Sequence, residues 1–291
     1  MMANKTIPII VLNYNSSSDC RKCVSYLKQQ QGVDIEIILV DNCSKSDDLT
    51  ALRSLSTEER CTLLENKENR GYNAGNNIGL RYAAEQGYQY ALIANPDMEF
   101  PQTDYLHKLL SVMDKNESVV VAGSDIVTPE GIHQNPKDNG NDSWTGCFNW
   151  MKFIFHKKNN TATPDWVGNP HQSASCRILN GCCLMLRISF LKDIGFFDEN
   201  VFLYGEETIL GKQVEIIGKQ AYYYADTYAI HNHVKSKEGN ASFRFKHWKH
   251  SRLLYIKKYS GYPFYGKWLS LFSTHLYFFV LGFHEMLLKK K

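Results

Sequence analysis

Residues 90–97 have the sequence Tyr-Ala-Leu-Ile-Ala-Asn-Pro-Asp, and this stretch indicates the fold. Its apolar run, Tyr90 to Ala94, is typical of a short strand that is buried on both faces. Pro96 has no backbone N–H to donate, so the strand ends there and Asp97 projects from its carboxyl end. Open α/β sheets place their ligands at this edge. Taken alone, the same residues are also compatible with a plain turn, so the rest of the chain has to decide.

Alternating patterns around this stretch predict a mostly parallel α/β sheet flanked by helices, related to the Rossmann type. Apolar runs without a helical period alternate with helical patterns, several of which begin at Ser, Asp or Thr caps. This order is typical of a doubly wound sheet. A short helix after 187 and a loop around 196–207 complete the second half. The predicted strands are 7–12, 35–40, 61–64, 90–94, 119–122, 177–187 and 221–224, and the longer predicted helices are 17–31, 46–55, 74–85, 103–115 and 210–218.

Composition places the chain among globular proteins, with 43% hydrophobic and 13% aromatic residues. No secretory pattern opens the sequence, so we expect the protein in the cytoplasm. The eight cysteines have no framework spacing, which favours reduced thiols. Cys20 and Cys23 have CxxC spacing without a second pair, and we interpret that spacing as coincidence.

Polar residues follow the first two predicted strands. Asn13 and Asn15 end the first, and Asp41 ends the second, so they belong to one edge of a parallel sheet. Asp41 could cap the next helix or hydrogen-bond a nucleotide, and the spacing leaves both open. Residues 65–79 then hold three glycines and five asparagines before a helix. Such a loop either turns backbone N–H groups toward an anion or is only a flexible turn.

Seven sequence blocks occur in an order that resembles the family 2 glycosyltransferases of the GT-A fold, particularly their bacterial rhamnosyltransferase-like branch. No single block is specific, but together they span roughly residues 7–236. The blocks are VLNYN (11–15), VDNCS (40–44), ENRGYNAGNNIG (68–79), NPD (95–97), LNGCCLMLR (179–187), GFFDENVFLYGEE (195–207) and IHNHVKS (230–236).

The resemblance implies a binding site for a nucleotide sugar and a divalent metal ion. Asp97 would be the metal carboxylate of the family's Asp-x-Asp element, in which Asn95 here replaces the first acid. His231 would ligate the metal or contact the diphosphate. Mg²⁺ or Mn²⁺ suits one carboxylate completed by diphosphate oxygens and water. The residues implied for nucleotide-sugar binding are Asn13, Asn15, Asp41, Arg70, Gly71, Asn76 and Asn95.

The same resemblance assigns the chemistry to Glu206 and Glu207. The family usually has Glu-Asp here, with the Asp taking the acceptor's proton, so Glu207 would be the base and Glu206 its support. The base is one methylene longer than usual, and Ile209 replaces an acid common in the family. A surface charge pair is the alternative.

These roles predict an inverting, metal-assisted glycosyltransferase with a carboxylate base. The branch implies rhamnose from a deoxythymidine diphosphate sugar, transferred to a hydroxyl of a cell-surface glycan or a lipid-linked acceptor. The alternatives are a noncatalytic nucleotide-sugar binding module and a sugar-nucleotide nucleotidyltransferase; the latter should carry a basic Gly-rich loop after the first strand.

The predicted domain organisation is a glycosyltransferase domain at 1–234 and a basic, aromatic, helical extension at 235–291. Within the domain, 1–127 would bind the nucleotide sugar, 131–165 would be a mobile insertion and 177–234 would hold the acceptor and catalytic residues. The extension has twelve lysines and arginines against two glutamates, and it is rich in aromatic residues. We interpret its end as a helix lying on an anionic membrane, at the inner face of the cell membrane; a packed helix and a membrane span are the alternatives. Nucleic acid is not expected, because no recognised module accompanies the charge.

Overall fold

The computed structural model describes residues 6–58, 60–137, 142–151, 169–232 and 241–288. Nine strands within these residues form one mixed sheet, in the order β3-β2-β1-β4-β8-β6-β9-β5, and β7 pairs with β9. The predicted mostly parallel α/β sheet is confirmed. The strands are β1 Thr6–Asn13, β2 Asp34–Asp41, β3 Cys61–Glu65, β4 Tyr90–Ala94, β5 Met98–Glu99, β6 Val119–Val127, β7 Ala174–Cys176, β8 Cys183–Arg187 and β9 Gln220–His231.

Helices cover the sheet and continue into the C-terminal extension. In the helices that flank the sheet, apolar residues recur at helical spacing and face the strands, which is why these segments fold as amphipathic helices. A 3₁₀ turn at Trp144–Gly146 and a π-helical turn at Tyr255–Tyr259 accompany them. The helices are α1 Ser17–Leu27, α2 Ser46–Ser56, α3 Tyr72–Glu85, α4 Tyr105–Lys115, α5 Ile188–Ile194, α6 Glu206–Ile216, α7 Ala241–Leu254 and α8 Phe264–Leu288.

The core lies on both faces of the sheet, as β1 illustrates. Side chains alternate between faces along a strand. Ile9 and Val11 therefore join the cluster on one side, whereas Ile10 and Leu12 join the other. β1 pairs in parallel with both β2 and β4, so the carboxyl ends of these three strands share one edge.

Three segments differ from the sequence prediction. The strand expected over 177–187 begins only at Cys183, because residues 178–182 form a turn that bonds to neighbouring segments. β9 runs on to His231, where β5 pairs with it. Helix α6 already begins at Glu206, inside the predicted loop, and follows Gly205, whose φ of +84° favours glycine.

Residues 142–151 of the predicted mobile insertion pack against α8. Trp150 Nε1 donates a hydrogen bond to Ser273 Oγ at 2.7 Å, and the Trp144 ring meets Tyr265 edge-on at 5.2 Å between centroids. Residues 138–141 and 152–165 of that insertion lie outside the described residues. The expected mobility therefore stays a prediction.

The C-terminal helices attach to the domain through polar contacts at Asp198. Its Oδ2 accepts hydrogen bonds from Lys258 Nζ at 2.8 Å and from Tyr259 Oη at 2.6 Å. Burial acts to raise the pKa of Asp198, but these hydrogen bonds outweigh it and lower that pKa to about 2. The extension is thus tied to the loop that precedes α6.

Helix α8 buries its small polar residues and exposes its large aromatic ones. Ser270, Ser273 and Thr274 are at most 3% exposed. Successive helical residues turn by about 100°, so positions 264, 268, 272 and 279 fall on one face. Among the described residues, no helix combines the length and the apolar character needed to cross a bilayer. The exposed aromatic face consists of Phe264, Trp268, Phe272 and Phe279, with exposed fractions of 87%, 60%, 52% and 71%.

Candidate active site

The ends of β1 and β2 are joined by a buried network around Asn13. Asn13 pairs with Asp41 in the sheet register, and both are almost fully buried. Asn13 Nδ2 lies 3.0 Å from Asp41 Oδ1, 3.0 Å from Ser44 Oγ and 2.8 Å from Asp48 Oδ2. Asp41 Oδ2 accepts from the Ser44 backbone N–H at 3.0 Å, which closes the turn after β2. Asp41 therefore shapes this turn and does not cap α2, which begins at Ser46.

Two exposed residues stand beside that network. Asn15 has a φ of +55°, and its Oδ1 accepts from the Lys45 backbone N–H at 2.9 Å. Tyr14 is 53% exposed. The sheet edge thus carries an accessible aromatic ring next to an amide that is held in a left-handed backbone conformation.

The Gly- and Asn-rich loop enters α3 through Gly71. Gly71 has a φ of +95°, and a Cβ there would lie 2.4 Å from Phe202 O, so only glycine fits. Arg70 is exposed and its Nη2 lies 3.3 Å from Glu199 Oε2. Asn76 is 1% exposed and its Nδ2 donates to Tyr72 O at 3.0 Å. Of these three predicted residues, only Arg70 is therefore well exposed.

Asp97 and His231 come together across the pairing of β5 with β9. Asp97 Oδ1 and His231 Nε2 are 3.4 Å apart, and both side chains are largely buried. His231 Nδ1 lies 3.0 Å from Gln134 Oε1. Since an amide oxygen only accepts, this Gln134 orientation requires a hydrogen on Nδ1, and Nε2 faces Asp97. Such an orienting bond is typical of histidines that ligate metals.

The donor set at this point fits Mg²⁺ or Mn²⁺ with an incomplete protein shell. Asp97 offers a carboxylate and His231 an imidazole nitrogen. Among the described residues, no group of three or more His, Cys, Asp or Glu side chains is placed to hold a metal ion. An ion held here would take its remaining ligands from water or from a diphosphate, as Mg²⁺ usually does.

Glu207 forms a short ion pair with Lys137. Lys137 Nζ lies 2.7 Å from Glu207 Oε1, and the Gly181 backbone N–H donates to the same oxygen at 3.3 Å. Burial disfavours the charged form of Lys137, but the Glu207 carboxylate outweighs it and raises the pKa of Lys137. Both contacts fix the position of the Glu207 carboxylate.

Glu206, one residue earlier, is in the opposite environment. Its Oε2 is buried and has no hydrogen-bond partner within the described part of the chain. Burial, together with the charge of Glu207, raises the pKa of Glu206 to about 8. Burial and Glu206 also raise the pKa of Tyr72, whose hydroxyl donates to Gly181 O at 2.8 Å. The pair therefore offers one carboxyl that is held in an ion pair and one whose pKa is raised.

One turn connects the Glu pair with the Asp97 region. The Asn95 backbone N–H donates to Cys182 O at 2.7 Å, and the preceding residue, Gly181, bonds to Glu207. A second connection runs through Gln134 and Lys137, three residues apart in the chain, which contact His231 and Glu207. The two clusters thus share their supporting segments.

A family model for glycosyl transferase family 2 matches residues 9–181, which is more than half of the chain. The chain belongs to glycosyl transferase family 2. The predicted family is therefore confirmed, and the matched segment covers the strand ends, the Gly-rich loop and Asp97.

Curated relatives of this family 2 chain are glycan-building proteins. It is 26% identical over 204 residues to the low-salt glycan biosynthesis hexosyltransferase Agl10 of Haloferax volcanii, covering 69% of this chain and 59% of the relative. It is 25% identical over 257 residues to the O-antigen biosynthesis protein RfbC of Myxococcus xanthus, covering 86% of this chain and 19% of the relative. The chain thus spans less than two thirds of the length of each.

Two solved structures of similar fold were determined with Mn²⁺ and a nucleotide or nucleotide sugar. The mannosyltransferase PcManGT of Pyrobaculum calidifontis, in complex with GDP-Man and Mn²⁺, matches with a TM-score of 0.61 and 16% identity, over 95% of this chain and 70% of that one. GalNAc-T7 with UDP, GalNAc and Mn²⁺ matches with a TM-score of 0.60 and 11% identity, over 87% and 51%. At these identities the likeness shows the fold, and it confirms the predicted GT-A type.

The sequence blocks of this family 2 chain point to Asp97, His231 and the Glu pair, but not to the residues that hold them. Gln134 and Lys137 lie in a polar stretch without a period, and no local signal distinguishes them from surface residues. Tyr14 lies inside the first block. An aromatic residue at the carboxyl end of a strand could have indicated a ring for base stacking.

Proposed function

We propose that this chain is an inverting glycosyltransferase that moves a sugar from a nucleotide sugar to a hydroxyl of a glycan or lipid-linked acceptor. The observation that carries the proposal is the pairing of Asp97 with His231 next to the Glu206–Glu207 pair, in a chain that belongs to family 2. This arrangement provides one site for a leaving diphosphate and another for the acceptor's proton.

The metal part of the proposal rests on Asp97 and His231. They would hold Mg²⁺ or Mn²⁺, as the Mn²⁺ complexes of two structural neighbours suggest. The ion would neutralise charge that develops on the leaving diphosphate. Gln134 would orient His231, and Asn95 would support the turn that carries Asp97.

The donor would lie along the carboxyl ends of β1 and β2. Tyr14 offers an exposed ring on which a base can stack. Asn13 and Asp41 would shape the turn beneath it, while Asn15, Arg70, Gly71 and Asn76 would line or support the pocket. The finer proposal, rhamnose from a deoxythymidine diphosphate sugar, rests on the sequence blocks alone.

The acceptor step would use Glu207 as the base. The acceptor hydroxyl oxygen forms a bond to the anomeric carbon while the bond from that carbon to the diphosphate breaks. Its proton passes to the Glu207 carboxylate. A single displacement of this kind inverts the anomeric configuration. Glu206 would support the acceptor, since its neutral carboxyl can donate a hydrogen bond near neutral pH.

The Lys137 contact favours a second candidate, a noncatalytic nucleotide-sugar binding module. Lys137 Nζ contacts Glu207 Oε1 at 2.7 Å, so this ammonium competes with an acceptor hydroxyl for the same oxygen. For catalysis, the acceptor would have to displace or share this contact. Binding without turnover would favour the module.

The C-terminal helices would bind an anionic membrane surface from the cytoplasmic side. The exposed aromatic face of α8 supports this, because a soluble helix normally turns such residues inward. The excess of lysines and arginines in 235–291 complements anionic lipid. A lipid-linked acceptor would then reach the enzyme at the same surface.

A two-stage experiment tests the activity. A thermal-shift screen of nucleotide sugars with Mn²⁺ identifies the donor, because a bound ligand stabilises the folded state. Purified protein is then incubated with that donor, and released nucleoside diphosphate and the anomer of the product are measured. Metal-dependent release with an inverted product supports the proposal. Donor binding without release supports the module.

A further inference from the structure

A polar cavity of about 510 Å³ lies between the start of α6 and the C-terminal helices. Segments far apart in the chain form it: residues 142–149, the start of α6, α7 and α8. Gly205 and Thr208 line the cavity and flank the Glu206–Glu207 pair in the chain. Its volume is in the range of small-molecule sites. The catalytic carboxylates and the cavity therefore share one helix end.

The cavity lining includes two arginines and one carboxylate. Arg177 and Arg252 both line it. Burial and Asp142 raise the pKa of Tyr262, and the charges of Arg252 and Arg177 oppose that rise, which places both guanidinium groups near this phenol.

Asp142, the acidic side chain in that lining, is already occupied. Its two oxygens accept hydrogen bonds from Tyr255 and Tyr262, and Lys212 Nζ lies 3.8 Å from one of them. Two phenols and a lysine thus hold Asp142, and the guanidinium of Arg252 lines the same cavity, where it can bind an anion.

One cation and one hydroxyl are held in place by α8. Arg252 Nε donates to Thr274 Oγ1 at 3.1 Å, and Thr274, which is 1% exposed, donates to Ser270 O. Ser270 lines the cavity and is 3% exposed, yet its Oγ has no hydrogen-bond partner within the described part of the chain. Leaving a buried hydroxyl without a partner costs stability, so this group is suited to a ligand.

We propose that this cavity binds the phosphate-bearing sugar at the end of the acceptor, a glycosyl phosphate or diphosphate. Arginine forks bind phosphate with two parallel hydrogen bonds, and the Ser270 and Thr208 hydroxyls add donors. Trp248, which is 37% exposed, offers an apolar wall for a sugar ring. The inference rests on the proposed glycosyl transfer, for which it names the acceptor class.

The position of α8 supports the same ligand. One side of the helix presents Ser270 to the cavity, and the other presents the exposed aromatic face that includes Trp268 and Phe272. A lipid carrier at a membrane surface would thus lie close to a cavity that takes its phosphates. The free sugar phosphate and the lipid-linked one share the chemistry that the arginines recognise.

Calorimetry in EDTA tests the inference, because the arginine site needs no metal whereas the proposed donor site does. The probes are glucose 1-phosphate, glucose, inorganic phosphate and farnesyl diphosphate. We expect glucose 1-phosphate or farnesyl diphosphate to bind more tightly than inorganic phosphate, and glucose not to bind. If glucose 1-phosphate binds most tightly, the natural ligand is a free sugar phosphate. If farnesyl diphosphate binds most tightly, the natural ligand is lipid-linked. If glucose binds as tightly as glucose 1-phosphate, the proposal that the cavity binds a phosphate is wrong.

Variants locate the binding. Arg252→Gln should weaken it by about tenfold or more, since charge-assisted bonds are the strong ones. Arg244→Gln, at another exposed arginine of α7, is the matched control and should change nothing. Ser270→Ala should weaken binding without lowering the melting temperature, because its hydroxyl lacks a partner. Equal affinities in wild type, Arg252→Gln and Ser270→Ala would refute the assignment.

A separate measurement distinguishes this failure from failure of the proposed function. Donor binding with Mn²⁺ is measured on the same preparations. If wild type binds and turns over the donor but not the phosphate probes, only the cavity assignment fails. If it binds the probes but neither binds nor turns over any donor, the proposed glycosyl transfer fails.

Discussion

Lys137 Nζ lies 2.7 Å from Glu207 Oε1, so the proposed base enters the reaction as half of an ion pair. Within the described residues Glu206 has no such ion pair, and burial together with the charge of Glu207 raises its pKa to about 8. Adjacent carboxyls in contrasting environments are the pattern from which enzymes obtain distinct acid and base roles. The structure therefore makes the two glutamates separable by substitution.

Glu207→Gln should lower turnover by about 10²-fold or more, which is the usual contribution of a general base. Donor affinity should stay nearly unchanged, because the base acts after the donor has bound. Steady-state turnover and calorimetric donor binding measure the two effects. Glu206→Gln is the matched variant and should lose less. If Glu206→Gln loses turnover and Glu207→Gln keeps it, the roles of the two glutamates are reversed.

Asp97→Asn should remove metal-dependent donor binding and leave the fold intact, because Asp97 lies beyond the buried strand β4. Gln134→Ala should weaken metal affinity by roughly 10- to 100-fold, the usual effect of losing a group that orients a ligand. Calorimetry with donor and Mn²⁺ measures both. Asp104→Asn, at an exposed carboxylate on the loop before α4, is the control. Unchanged donor affinity in Asp97→Asn would remove the metal role.

The sequence predicted the sheet and the approach of Asp97 to His231 for identifiable reasons. Apolar runs such as Tyr90 to Ala94 have no helical period, and β4 occupies those same residues. Asp97 and His231 belong to blocks whose order resembles a family, and the pairing of β5 with β9 brings them together. Strand ends and ordered motifs are local properties, which a sequence carries directly.

The supporting contacts could not be predicted in the same way. Lys137 and Gln134 lie in a polar stretch that was expected to be mobile, and their roles depend on where the chain folds back. The raised pKa of Glu206 arises from burial by distant segments, which a charged Glu-Glu pattern does not indicate. The burial of small polar residues on α8 also depends on tertiary contacts. Trp150, which bonds to Ser273, is more than a hundred residues away in the chain.

Glu206 should make the protein less stable as the pH rises. Its pKa is about 8 in the folded state, against 4.5 for an unperturbed glutamate. Between these values the folded state binds more protons than the unfolded state, so the free energy of unfolding falls with increasing pH. The contribution is complete below pH 4.5 and is lost through pH 8. Urea denaturation from pH 5 to 9 measures this slope, and Glu206→Gln should flatten it. An equal slope in both proteins would contradict the assignment.

The aromatic face of α8 should hold the protein on anionic membranes. Replacing Trp268, Phe272 and Phe279 with serine removes apolar surface that is already exposed, so the melting temperature should change little while flotation with anionic liposomes is lost. Deleting α8 is the poorer test, because Trp150 and Arg252 would lose their hydrogen bonds to Ser273 and Thr274. Each basic residue near an anionic surface contributes about 1 kcal/mol, and salt weakens that contribution. Binding by wild type should therefore fall with increasing salt and with neutral lipid.

Phe243→Ser, at an exposed aromatic residue of α7, is the control outside this face. Flotation that survives the triple substitution would place the membrane contact elsewhere, and a collapse of the melting temperature would mean that this face packs within the protein.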